Sequence, residues 1–213
     1  MSPPPVIGSP PERETARIQG VVAGIVTDNK DPQGLGRVKV KFPTLSAEEV
    51  GPWARVATLM AGNQRGTFFL PEVDDEVLVA FEHGDISRPY VLGALWNGKD
   101  KPPDTNSDGK NNFRFIKSRS GHMIRLDDTK GSEKIEIIDK GGANKIVIDT
   151  SGKKITIESD QDIDIKAPNG KITLNATHVE IKTSADAKVK TGGSVKVEAS
   201  GNTDIKGATV NLN

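Results

Sequence analysis

Cysteine is absent from this 213-residue chain, which excludes disulfide staples and thiolate metal sites. An excess of charge is missing as well, because 29 basic residues face 29 acidic ones. A formal net charge of zero removes the electrostatic reason to expect nucleic acid or anionic lipid as the main partner. The first twenty residues, MSPPPVIGSPPERETARIQG, contain no basic region followed by an apolar stretch, and no run approaches the ~20 apolar residues needed to span a bilayer. The expectation is a chain made in the cytoplasm without an export signal. Aromatic residues are scarce and unevenly placed: no Phe, Tyr or Trp follows Phe115, and the only proline after Pro103 is Pro168.

What is present divides the chain into four segments. Residues 1–17 carry prolines at 3, 4, 5, 10 and 11 and read as a stiff leader. Residues 18–98 read as short strands broken by turn signals: GVVAGIVTDNKDPQGLGRVKVKF, WARVATL, GTFFL, DEVLVAFEHGD and PYVLGAL. Strands of this length joined by Asn, Asp, Gly and Pro clusters predict a small closed or nearly closed β-barrel. Residues 99–112 form a polar linker, and residues 113–213 are a strand repeat whose octads are clearest from 155.

In that last segment apolar residues alternate with Lys, Asp, Glu, Thr and Ser, the period of two that marks a strand with distinct faces. A longer period is superimposed. Ile157, Ile165, Ile181, Val189, Val197 and Ile205 fall on one eight-residue grid, broken only at Thr173 beside Leu174. Ile155, Ile163, Val179, Ala187, Val195 and Thr203 fall on a second, broken at Ile172. An octad is too short for a coil of a one-chain β-helix and offers about two apolar side chains. At roughly 1.5–3 kcal/mol per fully buried aliphatic, that cannot offset an ordering cost near 1–2 kcal/mol per residue. Three copies wound about one axis would complete the burial and remove the lateral strand edges. The expected interior of this trimer comprises Ile135, Ile137, Ile146, Ile148, Ile155, Ile157, Ile163, Ile165, Ile172, Leu174, Val179, Ile181, Val189, Val195, Val197, Ile205, Val210 and Leu212. The fold class is therefore all-β: a small N-terminal barrel followed by a thin needle of three intertwined chains.

Chemical motifs fail on spacing. Asp28, Asn29, Asp31 and Pro32, with Gly34 and Gly36, read as a structural turn. Glu72, Asp74, Asp75 and Glu76 have no nucleophile beside them and read as an acidic turn, with Arg88 a candidate partner. Asp160, Asp162 and Asp164 begin like a calcium loop, but Ile165 and Lys171 stand where Gly and Glu are required. His83, His122 and His178 form no close pair; a threefold axis could still gather three copies of His178. No catalytic residue, cofactor or metal ligand set is assigned. Trp53, Phe68, Phe69, Phe81 and Tyr90 sit in apolar strand text and are expected in the barrel core, not in a nucleic-acid groove. A sugar-binding fibre is disfavoured because the repeat offers no stacking platform.

The barrel segments, with WARV, GTFFLPEVDDEVLVAFEHGDISRPYVLGALWNG and IKSRSGHMIRLDD in that order, resemble the central spike family of contractile injection machines: phage baseplate assembly protein V and the C-terminal half of VgrG-type spikes. The resemblance spans about residues 18–213 and implies an all-β fold with an N-terminal OB-type barrel followed by an intertwined trimeric β-helix needle. It implies a non-enzymatic structural spike of a contractile phage tail baseplate or related device, seated on a hub protein and used to pierce a target cell envelope. A VgrG-like spike of a secretion system carrying effectors is the alternative within the family. An OB-fold nucleic-acid-binding protein or a trimeric sugar-binding fibre is the alternative outside it. The resemblance also implies a PAAR-type tip protein, for which Ala208, Thr209, Val210, Asn211, Leu212 and Asn213 are the expected seat.

Overall fold

Val38 and Val40 alternate with Lys39 and Lys41, and the computed structural model shows what that alternation does. Both valines are buried to within 1%, while the lysines lie on the outside. The structure describes residues 17–45 and 50–211. The chain divides into two units, Met1–Glu158 and Ser159–Asn213.

The first unit begins with a closed barrel. Its strands are β1 (Val21–Asp28), β2 (Val38–Lys41), β3 (Val50–Val56), β6 (Glu76–Phe81) and β7 (Pro89–Ala94), closed in the order β1-β2-β3-β7-β6. A two-strand excursion, β4 (Ala61–Gly62) and β5 (Arg65–Gly66), lies between β3 and β6. All pairings in the barrel are antiparallel except β3 with β7, where Arg55 stands beside Tyr90 and Val56 beside Val91. One parallel pair between the third and fifth barrel strands is the Greek-key closure of an OB barrel.

The interior is small and aliphatic. Val26, Val38, Val40, Ala54, Val77, Val79 and Val91 are buried, with Phe42 and Phe81 meeting edge to face at 5.3 Å. Space for Phe42 comes from glycine. A Cβ on Gly24 would collide with the Val40 side chain and lie 3.0 Å from the Lys41 carbonyl oxygen and 3.1 Å from the Phe42 ring.

The expectation for the barrel aromatics holds only in part. Phe81 is in the core, but Phe68 and Phe69 are 78% and 65% exposed. GTFFL is no strand beyond Gly66, because the β4–β5 excursion carries this stretch away from the barrel ladder. Trp53 and Tyr90 are half-buried on the outer surface, since Ala54, Pro89 and Val91 take the inward positions beside them.

After the linker, the first unit continues as a five-strand antiparallel meander: β8 (Phe113–Lys117), β9 (Met123–Asp127), β10 (Lys134–Ile138), β11 (Lys145–Asp149) and β12 (Lys154–Glu158). Its turns carry left-handed residues at Gly121, Gly131, Gly142 and Lys153.

In the second unit no strand is assigned among the described residues, and nearly every side chain is exposed. The alternation of the octads would place strands here. The hydrogen bonds seen there among the described residues are local ones, such as Gly170 N–H to Ala167 C=O and Gly193 N–H to Thr191 Oγ1.

Gly24→Ala should lower the barrel's stability by about 1–3 kcal/mol through overpacking against Val40 and Phe42. A denaturation series would show this as a lower midpoint with native secondary structure retained. An unchanged midpoint would mean that the close packing at Gly24 carries no weight.

Candidate functional site

The meander has two faces, and its register fixes what each displays. Residues opposite one another on neighbouring strands share a face. Arg114, Leu126, Ile135, Ile148 and Ile155 form one row, and Ile116, Ile124, Ile137, Ile146 and Ile157 a second row on the same side. The nine aliphatic side chains of these rows are between 41% and 68% exposed.

The opposite face carries Phe115, Arg125, Glu136, Val147 and Thr156 in its central row. Here Glu136 is only 6% exposed. Arg125 donates to its carboxylate at 2.7 Å through Nε and 2.5 Å through a terminal nitrogen, and Lys134 stands 3.5 Å away. The Arg125 guanidinium also lies over the Phe113 ring at 5.4 Å. Long charged side chains cover one another on this face, whereas isoleucines too short to do so remain open on the other. The usual order is inverted: the polar face is the better covered.

The barrel presents a second surface of chemical character. Asp31 organises the loop between β1 and β2. Its carboxylate accepts backbone N–H bonds from Gln33 and Leu35 at 3.0 Å and from Arg37 at 3.4 Å, and bonds from the Arg37 side chain at 2.8 Å, and it is 3% exposed. Gly34 and Gly36 adopt φ of 66° and 68°, which turn those N–H groups inward. The Arg37 guanidinium, assisted by backbone N–H groups, holds the Asp31 carboxyl well below the usual carboxylate range. Arg37 and Lys39 lie over the Trp53 ring at 5.9 and 5.3 Å, and Arg55 lies over Tyr90 at 5.3 Å.

Of the sequence-predicted interior residues, Ile135, Ile137, Ile146, Ile148, Ile155 and Ile157 are brought together on one sheet face. Ile163, Ile165, Ile172, Leu174, Val179, Ile181, Val189, Val195, Val197, Ile205 and Val210 are exposed in the second unit. Ala208, Thr209 and Asn211 are exposed there too, while Leu212 and Asn213 lie outside the described residues. Ile116, Ile124 and Leu126 belong to the same apolar face and were legible in FRFIK and MIRLD, whose alternation continues that of the later strands. Arg88 pairs with Glu82 and Asp85, not with the 72–76 acids. Glu72 instead receives Arg119, from the turn between β8 and β9, at 2.7 Å. Among the described residues no three His, Asp or Glu side chains are grouped to hold a metal ion.

Residues 22–96, the barrel, match the family model of the Type VI secretion system/phage-baseplate injector OB domain. The chain is also 31% identical over 153 residues to the Type VI secretion system spike protein VgrG1a of Pseudomonas aeruginosa, covering 64% of this chain and 22% of that protein. It is 32% identical over 109 residues to the spike protein VgrG3 of Vibrio cholerae, covering 47% and 11% respectively. A third relative is the actin cross-linking toxin VgrG1 of Vibrio cholerae, 34% identical over 79 residues, covering 35% of this chain and 7% of the toxin. The barrel thus resembles the injector OB domain, and the chain is similar over part of its length to Type VI secretion system spike proteins. The match to VgrG1a covers more of the chain than residues 1–112 together contain, so the likeness reaches into the strand segment. The chain spans about a tenth to a fifth of the length of these two spike proteins.

Folding lowers the Asp31 pKa, so its contribution to stability is complete above the ordinary Asp range and is lost as pH falls through the lower folded value. Asp31→Asn lacks that contribution throughout. The gap in unfolding midpoint between parent and variant should be wide near pH 7 and narrow progressively as pH falls below about 4. A gap that stays constant over this range would show the carboxylate's charge to be irrelevant.

Proposed function

We propose that the chain is the non-enzymatic central spike of a contractile injection device, with the injector barrel seated on a hub protein and residues 113–213 forming the needle. The observation that carries this reading is the inverted sheet. Nine half-exposed aliphatic side chains per chain represent on the order of 10 kcal/mol of burial still available to each copy. The exposed ion pairs of the first unit contribute about 0–1 kcal/mol each and do not compete with that figure.

Two further copies, wound about a common axis, cover the face and continue as the octads of residues 155–210. The interior is then a column of Ile and Val with Lys, Glu, Asp and Thr outward, which suits a thin rod that transmits force. Target-envelope contact is transient. Residues 208–213 seat a separate tip protein of the PAAR type. The relatives are named as Type VI secretion spikes, and this supports a VgrG-like spike of a secretion system as the second setting of the same mechanical role.

Val197→Asp would gather three carboxylates in one apolar layer, where desolvation and like charge both oppose ionisation. The variant should fail to assemble at neutral pH, whereas Lys196→Asp, on the opposite face, should assemble as the parent does. Sedimentation or native electrophoresis distinguishes the two. Equal damage from both substitutions would refute the inward phase assigned to Val197.

A further inference from the structure

The strand repeat carries no stacking platform, but the chain assembles one just before it. Its last three aromatic residues, Trp96, Phe113 and Phe115, all line one cavity of about 460 Å³, together with residues of the linker. That volume lies within the range of small-ligand sites. Trp96 is 70% exposed and Phe113 39% exposed, so neither ring belongs to the barrel core. The register places Phe113 in a row with Asp127, Lys134 and Asp149, and Phe115 in the row of Arg125 and Glu136. Both rings therefore stand on the charged face of the meander, and further copies packed on the isoleucine rows would leave this cavity open.

The linker supplies the polar half of the lining. Asp104 and Asp108 each turn one carboxylate oxygen onto a backbone N–H, that of Asn106 at 2.8 Å and that of Lys110 at 3.0 Å, while Asn106 Oδ1 accepts the Asn111 N–H at 2.7 Å. The Asp128 N–H to the Asn112 carbonyl at 2.8 Å and the Arg114 guanidinium to the Asn111 carbonyl at 3.3 Å tie this loop to the meander. The second oxygen of each carboxylate and the side-chain amides of Asn111 and Asn112 have no partner among the described residues. The lining is thus held in place by bonds that leave its outer donors and acceptors unused, which lowers the ordering cost of binding.

No Lys, Arg or His is among the described lining residues, and two carboxylates repel a phosphate or any other anion. A cationic ligand would use the acceptors alone and leave the amide donors unmatched; moreover, Arg125 already lies over the Phe113 ring at 5.4 Å. Exposed rings edged by groups that both accept and donate suit a neutral sugar, whose pyranose rings present C–H faces bordered by hydroxyls. We infer that this cavity is a binding site for a neutral oligosaccharide, with Trp96 as the stacking platform and Asp104, Asp108 and Asn111 as partners of the hydroxyls. The site lies wholly within the first unit and is read by ligand binding, whereas the needle is read by mass, so either reading can fail and leave the other standing.

The chain has two tryptophans, so Trp53→Phe leaves Trp96 as the sole indole reporter in the full chain. Chitohexaose or cellohexaose, both neutral, should shift the Trp96 emission saturably at millimolar concentration, with an affinity that salt does not weaken. Calorimetry reads the same affinity in the parent chain. Trp96→Ala, and separately Asp104→Asn with Asp108→Asn, should each weaken it about tenfold or more, the loss expected when a stacking surface or charge-assisted hydrogen bonds are removed. All three positions are exposed, and circular dichroism checks that each variant keeps the fold. Absence of saturable binding to both sugars would overturn the assignment, as would an affinity unchanged in these variants. Tighter binding of spermine, lost at high salt, would place a cation in the cavity and overturn it as well.

Discussion

An apolar sheet face left half-exposed in the single chain is the constraint on which the proposed needle depends. In a two-layer domain the aliphatic rows of β8–β12 would pack against helices or a second sheet. Here the linker is polar, the following octads carry the same alternation, and no aromatic residue is available after Phe115 to widen a core. The side chains that do cover one another are the charged ones, around Glu136 and Arg125. A sheet of this kind gains little by folding back on itself and much by meeting copies of itself. That asymmetry underlies the proposed needle.

The barrel solves a different problem. Its core is built almost entirely of valine, two phenylalanines and one alanine, small enough that Gly24 must lack a side chain for Phe42 to fit. Because the interior admits so little, Trp53 and Tyr90 are displaced to the outside, where guanidinium and ammonium groups lie over them. Asp31 ties the loop that delivers Arg37 to this surface. The same carboxylate therefore both closes a turn and positions a cation over an aromatic ring.

Much of this was legible in the residues. Alternation in RVKVKF and in KIEII, KIVID and KITIE carries inward and outward directions without ambiguity, and the structure assigns strands to all four. The turn at Asp31 follows from its Asn, Asp, Pro and Gly content, although a single carboxylate holding three backbone N–H groups and a guanidinium is a matter of three-dimensional closure. The aromatics misled because hydrophobicity alone does not report how large a core is. GTFFL reads as strand, yet the short hairpin at Ala61–Gly66 carries Phe68 and Phe69 away from the ladder. In the octads the pattern specifies which side chains share a face, but a ladder also needs a neighbouring backbone, and alternation alone does not say where that backbone comes from.

The central claim is that the apolar face and the octads are completed by two more copies of this chain. Light scattering on the full-length protein at micromolar concentration measures this most directly, since it reports mass independently of shape. The account predicts one species of about three times the mass of a single chain, elongated by its hydrodynamic behaviour and slow to dissociate, because three intertwined chains must unwind together. A monodisperse monomer with an intact barrel would contradict it.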